Sequence, residues 1–83
     1  MIPFKTIVRA RHFEEFSEWV RHDGEEFLMV LDGEILLYSE FYEPLRLVAG
    51  DSIYFDSDMG HALVSVSEED ATVLSVCTRR ENT

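Results

Sequence analysis

Two apolar runs, Phe27-Leu28-Met29-Val30-Leu31 and Ile35-Leu36-Leu37-Tyr38, flank the dipeptide Asp32-Gly33. Asp-Gly between runs of β-formers is a strong short-range hairpin signal, so a hairpin over 26–38 is predicted. Neither run alternates with polar residues, as a strand with one solvated face would. Both faces of these strands therefore need cover. The chain has 83 residues, and a domain that small buries only about 60% of the surface its unfolded chain exposes. A second copy of the chain is the expected cover, with a second sheet or a chain terminus as the alternative. If Glu26 points inward, Leu28 and Val30 follow it, and Phe27, Met29 and Leu31 take the opposite face. Alternate residues among Ile35, Leu36, Leu37 and Tyr38 would join that face in a paired hairpin, giving a homodimer patch.

The rest of the chain also reads as short strands. Lys5 to Arg11 is β-branched at Thr6, Ile7 and Val8. His12 to Glu18, with Phe13 and Phe16 three apart, fits one helical turn or a loop leading to a short strand through Trp19 and Val20. The turn at Asp23-Gly24 favours the second reading. Phe41 to Val48 is a strand in which Pro44 marks an edge or an irregular position. Ala49-Gly50-Asp51 is a turn, with Asp51 capping backbone amides. Strands follow at 52–55, 61–66 and 71–78, separated by a loop at 56–60 and an acidic turn at Glu68-Glu69-Asp70. The tail from Arg79 to Thr83 reads as frayed. Strands at roughly 8–12-residue spacing with turn signals between them predict an all-β barrel or sandwich of two antiparallel sheets. One domain over 1–83 is expected.

Seven basic residues against seventeen acidic give a net charge of −10. Such a chain repels phosphate backbones, so direct nucleic-acid contact is not expected. No apolar run approaches the ~20 residues that span a bilayer. The start, Met1-Ile2-Pro3-Phe4-Lys5, shows no secretory leader. The single cysteine, Cys77, sits in the apolar run 71–77. It makes no internal disulfide, and it reads as a buried core thiol in a reducing cytoplasm.

Three residues could carry chemistry: His22, Glu26 and His61. Two imidazoles and one carboxylate form a ligand set that leaves coordination positions open. It suits zinc, iron(II), manganese or nickel, depending on geometry. A closed barrel would bring such distant residues into one cavity. Spacing alone also allows all three to sit on a solvated surface. His22 and His61 rings more than about 8 Å apart would exclude a shared ion. Trp19 and Tyr54 are candidates for lining a ligand pocket, with core packing as the alternative. Arg46, if it points inward, could meet an anionic effector. His12 reads as exposed.

The words around these residues are informative. His22-Asp23-Gly24-Glu25-Glu26, with Gly33 following, resembles the first motif of the cupin superfamily. Gly50 opens, and His61 completes, a stretch similar to the second motif. The resemblance spans Val20 to Ser65. Val20 stands where the first motif has its first histidine, and Ser65 where the second ends in asparagine. A jelly-roll barrel is thereby implied, with His22, Glu26 and His61 as metal ligands. Three phrases, His22 to Phe27, Gly50 to Ser57, and Met59-Gly60-His61-Ala62, resemble the C-terminal cupin halves of bacterial regulators with an XRE-type helix-turn-helix. That resemblance implies a small-molecule sensor domain, with DNA contact supplied by a helix-turn-helix domain absent from this chain. The alternatives are a stand-alone metal-dependent cupin enzyme, such as a dioxygenase or isomerase, and a module kept for dimerisation alone.

Overall fold

The computed structural model describes residues 1–78. The tail from Arg79 to Thr83 lies outside the described residues. Seven strands form in chain order: β1 (Ile2–Val8), β2 (Glu25–Asp32), β3 (Glu34–Ser39), β4 (Leu45–Val48), β5 (Ser52–Asp56), β6 (His61–Ser65) and β7 (Ala71–Thr78). All pairings are antiparallel, in a four-stranded sheet ordered β1-β7-β2-β5 and a three-stranded sheet ordered β4-β3-β6. The all-β, two-sheet jelly-roll barrel expected from the sequence is the fold. No helix among the described residues is long and apolar enough to cross a membrane.

Alternation builds the interior. Leu28 and Val30 of β2, Val73 of β7, and Ile35 and Leu37 of β3 are buried and form the core with Leu47 and Phe55. Each such side chain stabilises the fold by about 1.5–3 kcal/mol relative to exposure. β1 begins three residues earlier than the sequence reading placed it, because Pro3 is tolerated on an edge strand. It stops at Val8, since Arg11 leaves the sheet to hold the acidic turn. The Arg11 guanidinium donates to the carbonyl of Ser67 at 2.6 Å and to Ser65 Oγ at 3.0 Å. The strand read over 41–48 is confined to Leu45–Val48, just past Pro44. Segment 12–20 combines its two readings: a single 3-10 turn at Phe13–Glu15, then a lone bridge at Val20.

The paired hairpin does not form, which corrects the sequence reading. β2 is flanked by β5 and β7, so β3 has no open edge to join. The chain instead turns a corner from one sheet to the other. A register shift between Val30 and Asp32 bends β2 there. Gly33 adopts φ +85°, and a Cβ on it would lie 2.9 Å from Ser67 Oγ and 3.1 Å from Ala71. A side chain is therefore excluded twice, by backbone conformation and by space.

The two apolar runs consequently meet different neighbours. Tyr38, on the outer face of β3, is stacked by Phe13 at 4.7 Å between centroids, and Phe13 also meets Trp19 at 5.0 Å. The chain covers that face with its own segment 13–19. The outer face of β2 carries Phe27 and Met29, which register with Val76 and Leu74 of β7. Tyr54 of β5 stands beside Phe27 and is 62% exposed. Leu36 and Tyr38 do not extend this patch, because they belong to the other sheet.

Candidate metal centre

Glu26 is the second residue of β2 and faces the interior. Its side chain is buried between Phe55 of β5 and Cys77 of β7, the residues opposite it in the two ladders. His22 lies four residues earlier, in the loop that enters β2. Its backbone N–H donates to the carbonyl of Ser57 at 3.0 Å, and Ser57 N–H donates to the carbonyl of Gly24 at 3.1 Å. Gly24 has φ 102°, which lets this loop fold tightly before β2 begins. His61 opens β6 and is buried. It exchanges both backbone hydrogen bonds with Val20 at 3.0 Å. Leu63 and Ser65 face inward with it, as alternation requires.

The three side chains meet. His22 Nε2 lies 3.1 Å from Glu26 Oε1, and His61 Nε2 lies 3.7 Å from the same oxygen. The imidazole centroids are 5.4 Å apart with planes at 80°. Two donors that each sit about 2 Å from a common ion are at most about 4 Å apart. Both distances to Glu26 satisfy that limit. His61 Nδ1 is 2.8 Å from the carbonyl of Met59. A carbonyl only accepts, so Nδ1 carries the proton, and in the neutral ring Nε2 presents its lone pair to Glu26. Metal-ligating histidines are commonly oriented by a bond of this kind. Donor types and tautomer fit a divalent ion, and each histidine is within reach of Glu26. The donors that all lie within 4.8 Å of one another are those of His22, Glu26 and Cys77, so His61 must swing toward His22 to share the ion.

A carboxylate outside this cluster ties its two loops together. Glu40 accepts from Gly60 N–H at 2.7 Å and from both terminal nitrogens of the Arg21 guanidinium. Arg21 adjoins His22, and Gly60 adjoins His61. Trp19 packs against Gly60, where a Cβ would come within 2.6 Å of the indole stem. The Arg21 guanidinium, then the Gly60 amide, hold the Glu40 carboxyl below its usual range.

A cavity of about 460 Å³ opens beside the cluster. Its wall is mainly apolar, with Phe4, Val8, Phe16 and Val20 facing His22, Glu26 and His61. A second cavity of about 670 Å³, bordered by Tyr42, Tyr54 and Met59, contains none of the three.

The three residues read as ligand-binding do not line the cavity at the cluster. Trp19 packs on Phe13 and Gly60, outside the barrel. Tyr54 is on the outer face because Ile53 and Phe55, its neighbours on β5, point inward. Arg46 is exposed and pairs with Glu34, since the buried Leu47 turns it outward. Asp51 is a cap, accepting from Val48 N–H at 2.9 Å, and His12 is exposed. Cys77 is also placed differently from the sequence reading. It is half-buried rather than a core thiol. Its sulfur, a donor atom of His22 and one of Glu26 all lie within 4.8 Å of one another. Burial, then the neighbouring Glu26 carboxylate, push the thiol up to about 11.

A small two-sheet barrel that gathers two imidazoles and a carboxylate at an internal cavity is a distinct class of β protein. Residues 12–77 match the family described as "Cupin domain", and the chain belongs to that family. Its fold is also that of solved structures of HppE. Fe(II) HppE in complex with substrate superposes with a TM-score of 0.80 at 25% identity, covering 92% of this chain and 44% of that one. Hydroxypropylphosphonic acid epoxidase from S. wedmorenis, in complex with fosfomycin, gives 0.80 at 24% identity over 92% and 42%. Co(II) HppE in complex with substrate gives 0.78 at 24% over 92% and 43%. The chain thus spans less than half the length of these proteins. No curated protein matches it in sequence.

Proposed function

We propose that this chain is a metal-binding cupin domain that holds one divalent ion on His22, Glu26 and His61 and admits a small organic ligand beside it. The observation that carries this reading is the convergence of both histidine Nε2 atoms on one oxygen of a buried carboxylate. Iron(II) is the preferred ion, because two histidines and one carboxylate with open positions suit non-haem iron, and HppE is described with Fe(II). When bound, the ion would supply open coordination positions and, for iron, redox chemistry. The chain's own residues bind and orient. The Met59 carbonyl aims His61, Glu26 balances charge, and the apolar wall limits water at the site. Arg9 is the lone arginine or lysine on that wall among the described residues, and it already pairs with Asp70. The wall therefore favours a small, mostly apolar molecule over a phosphonic acid. Anaerobic calorimetric titration with Fe(II) tests the reading. One site per chain, lost in Glu26→Ala, is expected; no binding, or binding unchanged in the variant, contradicts it.

One observation favours effector sensing over turnover. The titratable groups on the cavity wall are the three ligands and Arg9, with no separate acid or base among the described residues. In that second reading the domain reports ligand occupancy to a helix-turn-helix domain outside this chain, by favouring one packing of a dimer. We further infer that the dimer forms through the outer face of the four-stranded sheet, around Phe27, Met29, Leu74 and Val76. The net charge of −10 argues that the chain itself does not bind DNA.

A further inference from the structure

Cys77 stands directly opposite Glu26 in the antiparallel ladder between β7 and β2. Opposed residues in such a ladder have Cβ atoms about 5 Å apart on the same face. The backbone pairing therefore delivers a sulfur to the side of the carboxylate that His22 also faces. Donor atoms of Cys77, His22 and Glu26 lie within 4.8 Å of one another. A nitrogen at about 2.1 Å and a sulfur at about 2.3 Å from one ion are separated by at most about 4.4 Å. Side-chain rotation alone closes a gap of that size.

We propose that Cys77 is a fourth protein ligand to the ion held by His22, Glu26 and His61, entering as a thiolate. This rests on the metal-binding reading above and extends it. Coordination breaks the S–H bond and forms a metal–sulfur bond. One proton leaves to solvent, and neither metal nor sulfur changes oxidation state. A thiolate makes the donor set softer, so the site gains preference for zinc and cobalt over manganese and magnesium. It also occupies one of the positions that three ligands would leave open to a small molecule.

Cys77 is the chain's single cysteine, so any thiolate signal reports on it. Co(II) is the probe, added anaerobically to the whole chain. The expected result is a near-ultraviolet sulfur-to-cobalt charge-transfer band that saturates at one equivalent. Cys77→Ser should lose this band while keeping the visible ligand-field bands of bound cobalt. In the unmodified protein, Zn(II) should slow the reaction of the thiol with a disulfide reagent about ten-fold or more. That second measurement stands even if the variant folds poorly. Ligand-field bands without a charge-transfer band, together with an unprotected thiol, would overturn the role of Cys77 and leave the three-ligand site standing. No cobalt binding at all would overturn both.

Discussion

Glu26 enters the cavity from a ladder with strands on both sides, whereas His61 stands at the first position of β6 and His22 in the loop that leads into β2. The same contrast holds for the two outer faces. Segment 13–19 covers the three-stranded sheet through Phe13 on Tyr38, while Phe27, Met29, Leu74 and Val76 lie half-buried on the outer face of the four-stranded sheet. One sheet thus gives its ligand by strand alternation, and its outer face is the one proposed above for a dimer. The other gives His61 from the first position of β6 and takes its cover from segment 13–19, while His22 depends on backbone bonds between loops. Rigid ladders place donors accurately, and loops do so only when other bonds immobilise them.

If this contrast is right, replacing a ligand from either source should have the largest effect. Glu26→Ala and His61→Ala are each expected to weaken Fe(II) binding by more than about 100-fold, because ligand loss exceeds the 10–100-fold typical of outer contacts. Calorimetry reads this directly. A His61→Ala variant that binds normally would show that the Glu26 carboxylate holds the ion without β6.

The two outer faces should respond differently to substitution. Tyr38→Ala removes an aromatic stack within the chain and is expected to cost about 2 kcal/mol in urea unfolding. Phe27→Glu should leave the monomer folded and convert dimers to monomers in sedimentation at micromolar concentration. A wild-type monomer, or a Phe27→Glu dimer, would remove the proposed role of that face.

Glu40 tests the loop half of the contrast. Glu40→Gln keeps size and removes charge, and should weaken metal binding about ten-fold without unfolding the chain. A smaller effect follows with pH. The Glu40 carboxyl is held below its ordinary value of 4.5 by Arg21 and the Gly60 amide. A lowered folded value means the contribution is present above 4.5 and is lost as pH falls through the lowered value. The difference in melting temperature between wild type and Glu40→Gln should therefore fade below that pH. A difference that grows on acidification would show that the Arg21–Glu40 pair does not hold these loops.

What the amino-acid order revealed follows the same division. The motif words singled out Glu26, and once it points inward a period of two carries Leu28 and Val30 with it. The motif words brought out His22 and His61. Pairing partners were not legible. Asp32-Gly33 carries the same turn chemistry at a corner between sheets as in a hairpin, and only the occupied edges of β2 decide between them. Cys77 became a neighbour of Glu26 through a register set some fifty residues apart, which no local pattern encodes. The outward turn of Tyr54 and Arg46 was accessible in principle. Ile53 and Phe55 flank the first, and Leu45 and Leu47 the second, so alternation opposes both to the core. Trp19 gave no such signal, because a residue between a 3-10 turn and a single bridge has no period.

The central claim is that one ion sits on residues from both sources at once. Anomalous diffraction from crystals of the zinc-loaded chain measures this most directly. The account expects one peak per chain, about 2.0–2.2 Å from His22 Nε2, a Glu26 carboxylate oxygen and His61 Nε2 together. A peak that omits either histidine, or a saturated crystal with no peak at this cluster, would contradict it.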